Sequence, residues 1–209
     1  MKAILSIGIL AILISVAGCL EETLMPSPSG EVYSEIDVYQ EPIQKPYTGD
    51  VIYREADGDT YALVPVAMYK TSVLVVHTKH YSDEDSELVP VDLCVVWGVL
   101  AEPEYLQYAT FIQEDRGCEC IYDVGSPVDT PDILCLFVNI HLIPADDYIL
   151  QAIKTIRRGQ KVVLEGFLVD IYRDGCIYIE TSRTRADNGE GSCEVLYVTR
   201  VRVGNAIYE

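Results

Sequence analysis

The sequence predicts a mainly β domain of the α+β class: a small, partly open antiparallel barrel of the OB type, carrying two helices. Three observations lead there. Apolar residues make up 49% of a 209-residue chain, enough for a core and too many for a disordered polymer. Short runs rich in β-branched residues recur along the chain, about six of them, and only two segments have helical spacing. The aromatic content is 15 Tyr against 3 Phe and 1 Trp, which suits strands with one apolar and one wet face.

The elements follow in order. Residues 1–18 (MKAILSIGILAILISVAG) place Lys2 before an uncharged stretch from Ala3 to Ala17, then small residues up to Cys19. The stretch is shorter than the roughly 20 residues a membrane-spanning helix needs, and its flanks fit a secretory signal. Residues 19–50 read as a tether: Pro26, Pro28, Pro42 and Pro46 with Ser27, Ser29 and Gly30 favour extended chain, although 33–39 could supply an edge strand. Residues 51–209 form the single β-rich domain.

Within it, 61–78 reads as strand broken at Pro65, and 91–100 as an apolar strand. Glu102-Pro103-Glu104 opens a predicted helix with Tyr105, Tyr108, Ala109 and Ile112 on one face. Residues 117–131 look irregular, and 132–143 read as strand. A second helix starts at Asp146-Asp147, carries Ile149, Ala152, Ile153 and Ile156 as its stripe, and ends at Gly159. Residues 161–172 and 176–181 form a hairpin around Asp174-Gly175, and 193–203 supply a last strand.

Val16-Ala17-Gly18-Cys19 resembles the lipobox of prokaryotic lipoproteins. The resemblance implies lipidation of Cys19 and attachment to the outer, extracytoplasmic face of the cell membrane. An uncleaved N-terminal helix is the competing arrangement. A second set of stretches comprises Leu63-Val64-Pro65-Val66, Val91-Asp92-Leu93 with Trp97-Gly98, and His141-Leu142-Ile143-Pro144-Ala145. It continues with Gly159-Gln160, Leu164-Glu165-Gly166 and Thr181-Ser182-Arg183-Thr184-Arg185, and runs on through Asp187, Gly189 and Gly191 to Cys193-Glu194. Together these are similar to a family of small uncharacterised proteins of bacterial envelopes. That resemblance implies one compact domain over about 63–203 and names no activity; most of the cysteines lie outside its pattern.

The net charge of −18, from 15 basic and 33 acidic side chains, opposes nucleic-acid phosphates, so nucleic acid is excluded as a partner. The expected partners are the membrane through the lipid, other envelope proteins, or a small anionic ligand. Beyond Cys19 there are six cysteines: Cys94, Cys118, Cys120, Cys135, Cys176 and Cys193. An even number in an exported domain predicts disulfides, with the connectivity open. Cys118-Glu119-Cys120 is the one close pair and offers a thiol redox or metal alternative, but nearby sequence holds no second ligand pair, so no metal site is assigned.

No catalytic set and no cofactor fingerprint stands out. His141 has no nucleophile beside it in sequence and reads as a partly buried histidine, kept with segment 181–194 as a candidate contact residue. His77 and His80, three apart on a strand, point to opposite faces. Asp57-Gly58-Asp59 and Asp83-Glu84-Asp85 lack the spacing of a calcium loop. The polar segment 181–194 is the expected contact surface. Arg183 and Arg185 alternate onto one face and could grip an anion through their fork-shaped donors, with Gly189 and Gly191 freeing the backbone. The competing arrangement pairs those arginines with Asp187, Glu190 or Glu194. The function expected is therefore a non-catalytic, membrane-anchored binding module.

Overall fold

The computed structural model describes residues 36–209 except 124, 126, 128–132, 134 and 186–190. The signal segment, Cys19, Asp187 and Gly189 lie outside the described residues. The strands are β1 (Ile43–Pro46), β2 (Ile52–Ala56), β3 (Asp59–His80), β4 (Val91–Val96), β5 (Ala109–Glu114) and β6 (Gly117–Tyr122). They continue with β7 (Phe137–Pro144), β8 (Lys161–Arg173), β9 (Cys176–Ile179), β10 (Glu194–Val203) and β11 (Ala206–Tyr208). Two α-helices, α1 (Pro103–Leu106) and α2 (Asp147–Thr155), and two short 3-10 turns, Glu84–Ser86 and Gly98–Ala101, complete the described set.

Five strands close on themselves. β3 pairs β4, β4 pairs β7, β7 pairs β10, β10 pairs β8, and β8 returns to β3. Every pair in the circuit is antiparallel except β7 with β10, which is parallel. This is the strand circuit of an OB-type barrel, with α2 between the third and fourth barrel strands. The 22 residues of β3 make closure possible: its first two thirds pair with β8 and its last third with β4. A strand that long must bend. The register of β3 shifts between Pro65 and Ala67 against β8 and between Val75 and His77 against β4, so Pro65 bends the strand rather than ending it. Gly166 lets β8 and β10 approach, because a Cβ there would run into the Tyr197 carbonyl.

The barrel interior is apolar: Val73, Val75, Leu93, Val95, Ile140, Leu142, Leu164, Leu168, Leu196 and Val198 are buried against one another. Ile149, Ala152, Ile153 and Ile156 of α2 join the same core. The Asp146 carboxylate caps this helix by accepting from the Ile149 amide at 2.8 Å, and Lys154 sits in its last turn.

Three expectations are corrected. The first predicted helix stops at Leu106, and Ala109–Glu114 is strand β5. Its partner β6 occupies Gly117–Tyr122, within the stretch expected to be irregular. Phe111 of β5 and Cys118 and Cys120 of β6 pack on the outside of the barrel, and that burial outweighs the helical spacing of the tyrosines. The tether expectation fails over 36–50: Ile36 and Val38 are buried, and β1 pairs with β3 from Ala67 to Lys70. The second helix starts where expected but ends at Thr155, short of Gly159, while the Asp174-Gly175 hairpin and the final strand stand where the sequence placed them. Asp174 and Gly175 both have positive φ, 53° and 76°, as their two-residue turn requires.

Candidate functional site

A strand exposes alternate residues to opposite faces, so each barrel strand has an outward set. In β4 the inward residues Val91, Leu93 and Val95 leave Asp92 and Cys94 facing out; in β7 the inward Val138, Ile140 and Leu142 leave Asn139 and His141. The register sets Asp92 beside His141 and Cys94 beside Asn139. Over this outer face lies a cleft of about 810 Å³. Its walls come from the β3–β4 loop (Leu88, Val89), the β5–β6 turn (Arg116), β7, β9 (Ile179) and the approach to β10 (Gly191 to Cys193). In OB-type barrels the outer face of the second and third strands and the flanking loops form the ligand surface, and the cleft is built from those elements.

The polar groups at its floor are connected. The buried Asp92 carboxylate meets His141 Nδ1 through Oδ1 at 2.9 Å and accepts the Tyr81 hydroxyl through Oδ2 at 2.9 Å. Burial pushes the His141 imidazolium down, but interactions with the Asp92 carboxylate and the Cys193 sulfur outweigh it and raise the pKa to about 9. His141 is therefore a cation at neutral pH, held between a carboxylate and a sulfur. The Tyr81 hydroxyl is pushed up by burial and by Asp92, so it remains a donor. Arg116 lies over the Tyr81 ring, 3.9 Å from its centre, and pairs with Asp83 at 2.6 Å.

Cys193 is fixed from several sides. Its carbonyl accepts the Ser182 amide at 2.9 Å, and the next strand residue but one, Val195, donates its amide to Thr181 Oγ1 at 2.9 Å. Asn139 Nδ2 stands 3.7 Å from its sulfur and donates to the Arg116 carbonyl at 3.0 Å. Gln113 Nε2 donates to Asn139 Oδ1 at 2.8 Å, and Gln113 Oε1 meets His77 Nδ1 at 2.8 Å, so the amide of Asn139 cannot turn over without breaking its bonds to Gln113 and to the Arg116 carbonyl. A thiol beside an imidazole that a third group orients is the arrangement found in nucleophilic thiol sites.

The arginines of the predicted contact surface are elsewhere engaged. Arg183 pairs with the buried Asp170 at 2.5 Å and with Glu180 at 3.8 Å. Arg185 pairs with the buried Glu194 at 2.8 Å, donates to Gln44 Oε1 at 2.9 Å, and lies over the Tyr69 ring. Gln44 in turn donates to the Arg183 carbonyl at 3.1 Å. These contacts clasp segment 181–185 to β1 and pair both guanidinium groups with carboxylates of the protein, so they are not an open anion fork. Of the expected contact residues, Gly191 and His141 reach the cleft.

The cysteines divide by role. Cys94 and Cys118 form a disulfide that fastens the β5–β6 hairpin to β4. Cys118 and Cys120 are thus not a dithiol pair with each other, and burial pushes the Cys120 thiol up to about 11, which disfavours its reactive form. Cys176 is exposed at the start of β9, and Cys135 is half-buried just before β7. Among the described residues no cluster of three His, Cys, Asp or Glu side chains could hold a metal ion.

The grouping of Asp92, Asn139, His141 and Cys193 was missed in the sequence, since Asp92 and His141 lie 49 positions apart. One signal pointed to part of it: polar residues at alternate positions in otherwise apolar strands, VDLC and VNIHLI, mark one outward polar face. No family model, no curated protein and no solved structure matches this chain.

Proposed function

We propose that this chain is a lipoprotein of the cell envelope, anchored through Cys19 on the extracytoplasmic side, whose barrel binds a small ligand in the cleft over β4 and β7. The cleft carries the reading: about 810 Å³ is the size of a ligand pocket, and it stands on the face that OB-type barrels use. Leu88, Val89, Phe137 and Ile179 give it apolar walls, while His141 and Asn139 supply polar groups at the floor. Asp85, Asp115, Glu119 and Glu180 at the rim outnumber Arg116, which favours a neutral or cationic ligand over the anion first expected.

Two features support the location. The N-terminal segment has the form of a lipoprotein signal, and the Cys94–Cys118 disulfide is a bond that persists in oxidising compartments.

The test uses Nile red, a neutral apolar dye, titrated into the protein purified from membranes. Saturable fluorescence is expected, lost in Ile179→Glu at unchanged melting temperature. Fluorescence that does not saturate, or that Ile179→Glu leaves intact, would remove the cleft as a binding site. Intact mass of the same sample is expected to fit a lipidated chain beginning at Cys19; an uncleaved N-terminus would contradict the anchor.

A further inference from the structure

We propose that Cys193 is the nucleophile of a cysteine-dependent acyl-transfer site, with His141 as its proton carrier and Asp92 as the positioning residue behind the imidazole. The proposal rests on the cleft being a ligand site and adds chemistry to it. Three independent placements carry it. The register of β10 on β7 brings Cys193 to the outward face that carries Asn139 and His141, with its sulfur 3.7 Å from Asn139 Nδ2 and its charge acting on the imidazole, and His141 Nδ1 is tied to Asp92 at 2.9 Å. That tie leaves Nε2 as the ring nitrogen able to serve the sulfur. Asp92 is fully buried and fixed on its other oxygen by Tyr81 at 2.9 Å, so the imidazole is held in one orientation. Cys193 and His141 both line the cleft, whereas Asp92 does not, which is the division expected between groups that touch a substrate and one that orients them.

Asn139 supplies what an acyl transfer needs next. Its Nδ2 is 3.7 Å from the sulfur, and Gln113 at 2.8 Å fixes the amide with the nitrogen toward the cleft. A carbonyl carbon attacked by Sγ would place its oxygen within reach of that N–H donor, where charge develops.

The step balances as follows. The proton of the thiol rests on His141 in the starting pair, so Sγ attacks as the thiolate and forms a bond to the acyl carbon. The carbonyl π electrons move to oxygen, giving an oxyanion that Asn139 meets. As the carbonyl reforms, the bond to the leaving group breaks and His141 returns its proton to that alkoxide or amine, leaving a thioester on Cys193. Water from the solvent, deprotonated by the now neutral His141, then attacks the thioester carbon, and the sulfur leaves as the thiolate, which restores its pair with the protonated imidazole. The net change is an ester or amide plus water giving an acid plus an alcohol or amine; no oxidant, metal or cofactor enters. The apolar walls at Leu88, Val89, Phe137 and Ile179 fit an acyl group with a hydrocarbon portion.

The test mixes the disulfide-intact full chain with p-nitrophenyl butyrate at neutral pH. A burst of nitrophenolate stoichiometric with protein is expected, with a butyryl group mapped to the peptide holding Cys193. Cys193→Ser abolishes the burst, and His141→Gln lowers its rate about 100-fold or more. Asp92→Asn keeps a slower burst whose alkaline limb moves to lower pH, a shift that general loosening of the fold would not produce. Nile red binding to Cys193→Ala separates the two readings. Dye bound normally without any wild-type burst overturns the nucleophile and leaves the cleft intact; loss of both overturns both. Butyryl on the exposed Cys176 in place of Cys193, or an undiminished burst in Cys193→Ser, also overturns the proposal.

Discussion

Two polar clusters flank the start of β10, and they end up doing opposite things. At Arg183 and Arg185 the charges are of opposite sign to their neighbours, close, and partly buried, so each guanidinium finds a carboxylate and the cluster closes on itself. At Cys193 the neighbours are a histidine, an amide and, behind them, one carboxylate already shared with a tyrosine. That set is satisfied at the back and open at the front, where the cleft begins. The lesson is about capacity: a charged pair that consumes its own hydrogen bonds has little left for a ligand, whereas a positioned thiol and imidazole facing a cavity do.

The comparison can be broken at its strongest point first. Arg185→Ala takes the guanidinium away from the buried Glu194 and removes the clasp on Gln44, so a loss of about 3 kcal/mol is expected, read by urea unfolding, with cleft binding of Nile red retained in the folded fraction. Cys94→Ser opens the disulfide between residues 24 apart and is expected to cost about 2–4 kcal/mol by the same measurement, while releasing the β5–β6 wall of the cleft.

A pH series sharpens the other side. His141 is raised to about 9 in the folded chain from an ordinary value near 6.5, so the folded state holds its proton more tightly than the unfolded chain. Its contribution to stability is complete below about pH 6.5 and is lost as pH rises through about 9; the urea midpoint is expected to fall over that window, and His141→Gln to flatten the fall. The smallest effect belongs to Arg183→Ala. Its side chain is half exposed, and an exposed pair contributes less than about 1 kcal/mol, so the melting temperature should barely move.

Much of the fold was legible because it rests on local rules. Asp174-Gly175 dictates a two-residue hairpin, Asp146 caps a helix with an apolar stripe, and the β-branched runs mark barrel strands. Where burial on a partner decides, local pattern misled: Tyr105 to Ile112 has helical spacing, yet its second half pairs with β6 over the barrel face. β1 was hidden for the same reason, since Gln44 and Pro46 are unremarkable until β3 and the arginines meet them. In the site, His141, Gly191 and Cys193 were visible as individual residues, but their roles depend on which strands are neighbours. A parallel pair such as β7 with β10 brings together segments that no short-range signal connects.

The central claim is that His141 activates a half-buried cysteine, and thiol alkylation tests it most directly. Iodoacetamide is added at about pH 6.5, and each cysteine peptide is followed by mass spectrometry. Exposure alone ranks Cys176 first, because it is exposed and Cys193 is half-buried; the account predicts that Cys193 is alkylated faster than Cys176, and that His141→Gln reverses the order. Alkylation of Cys176 ahead of Cys193 in the unmodified chain would contradict it.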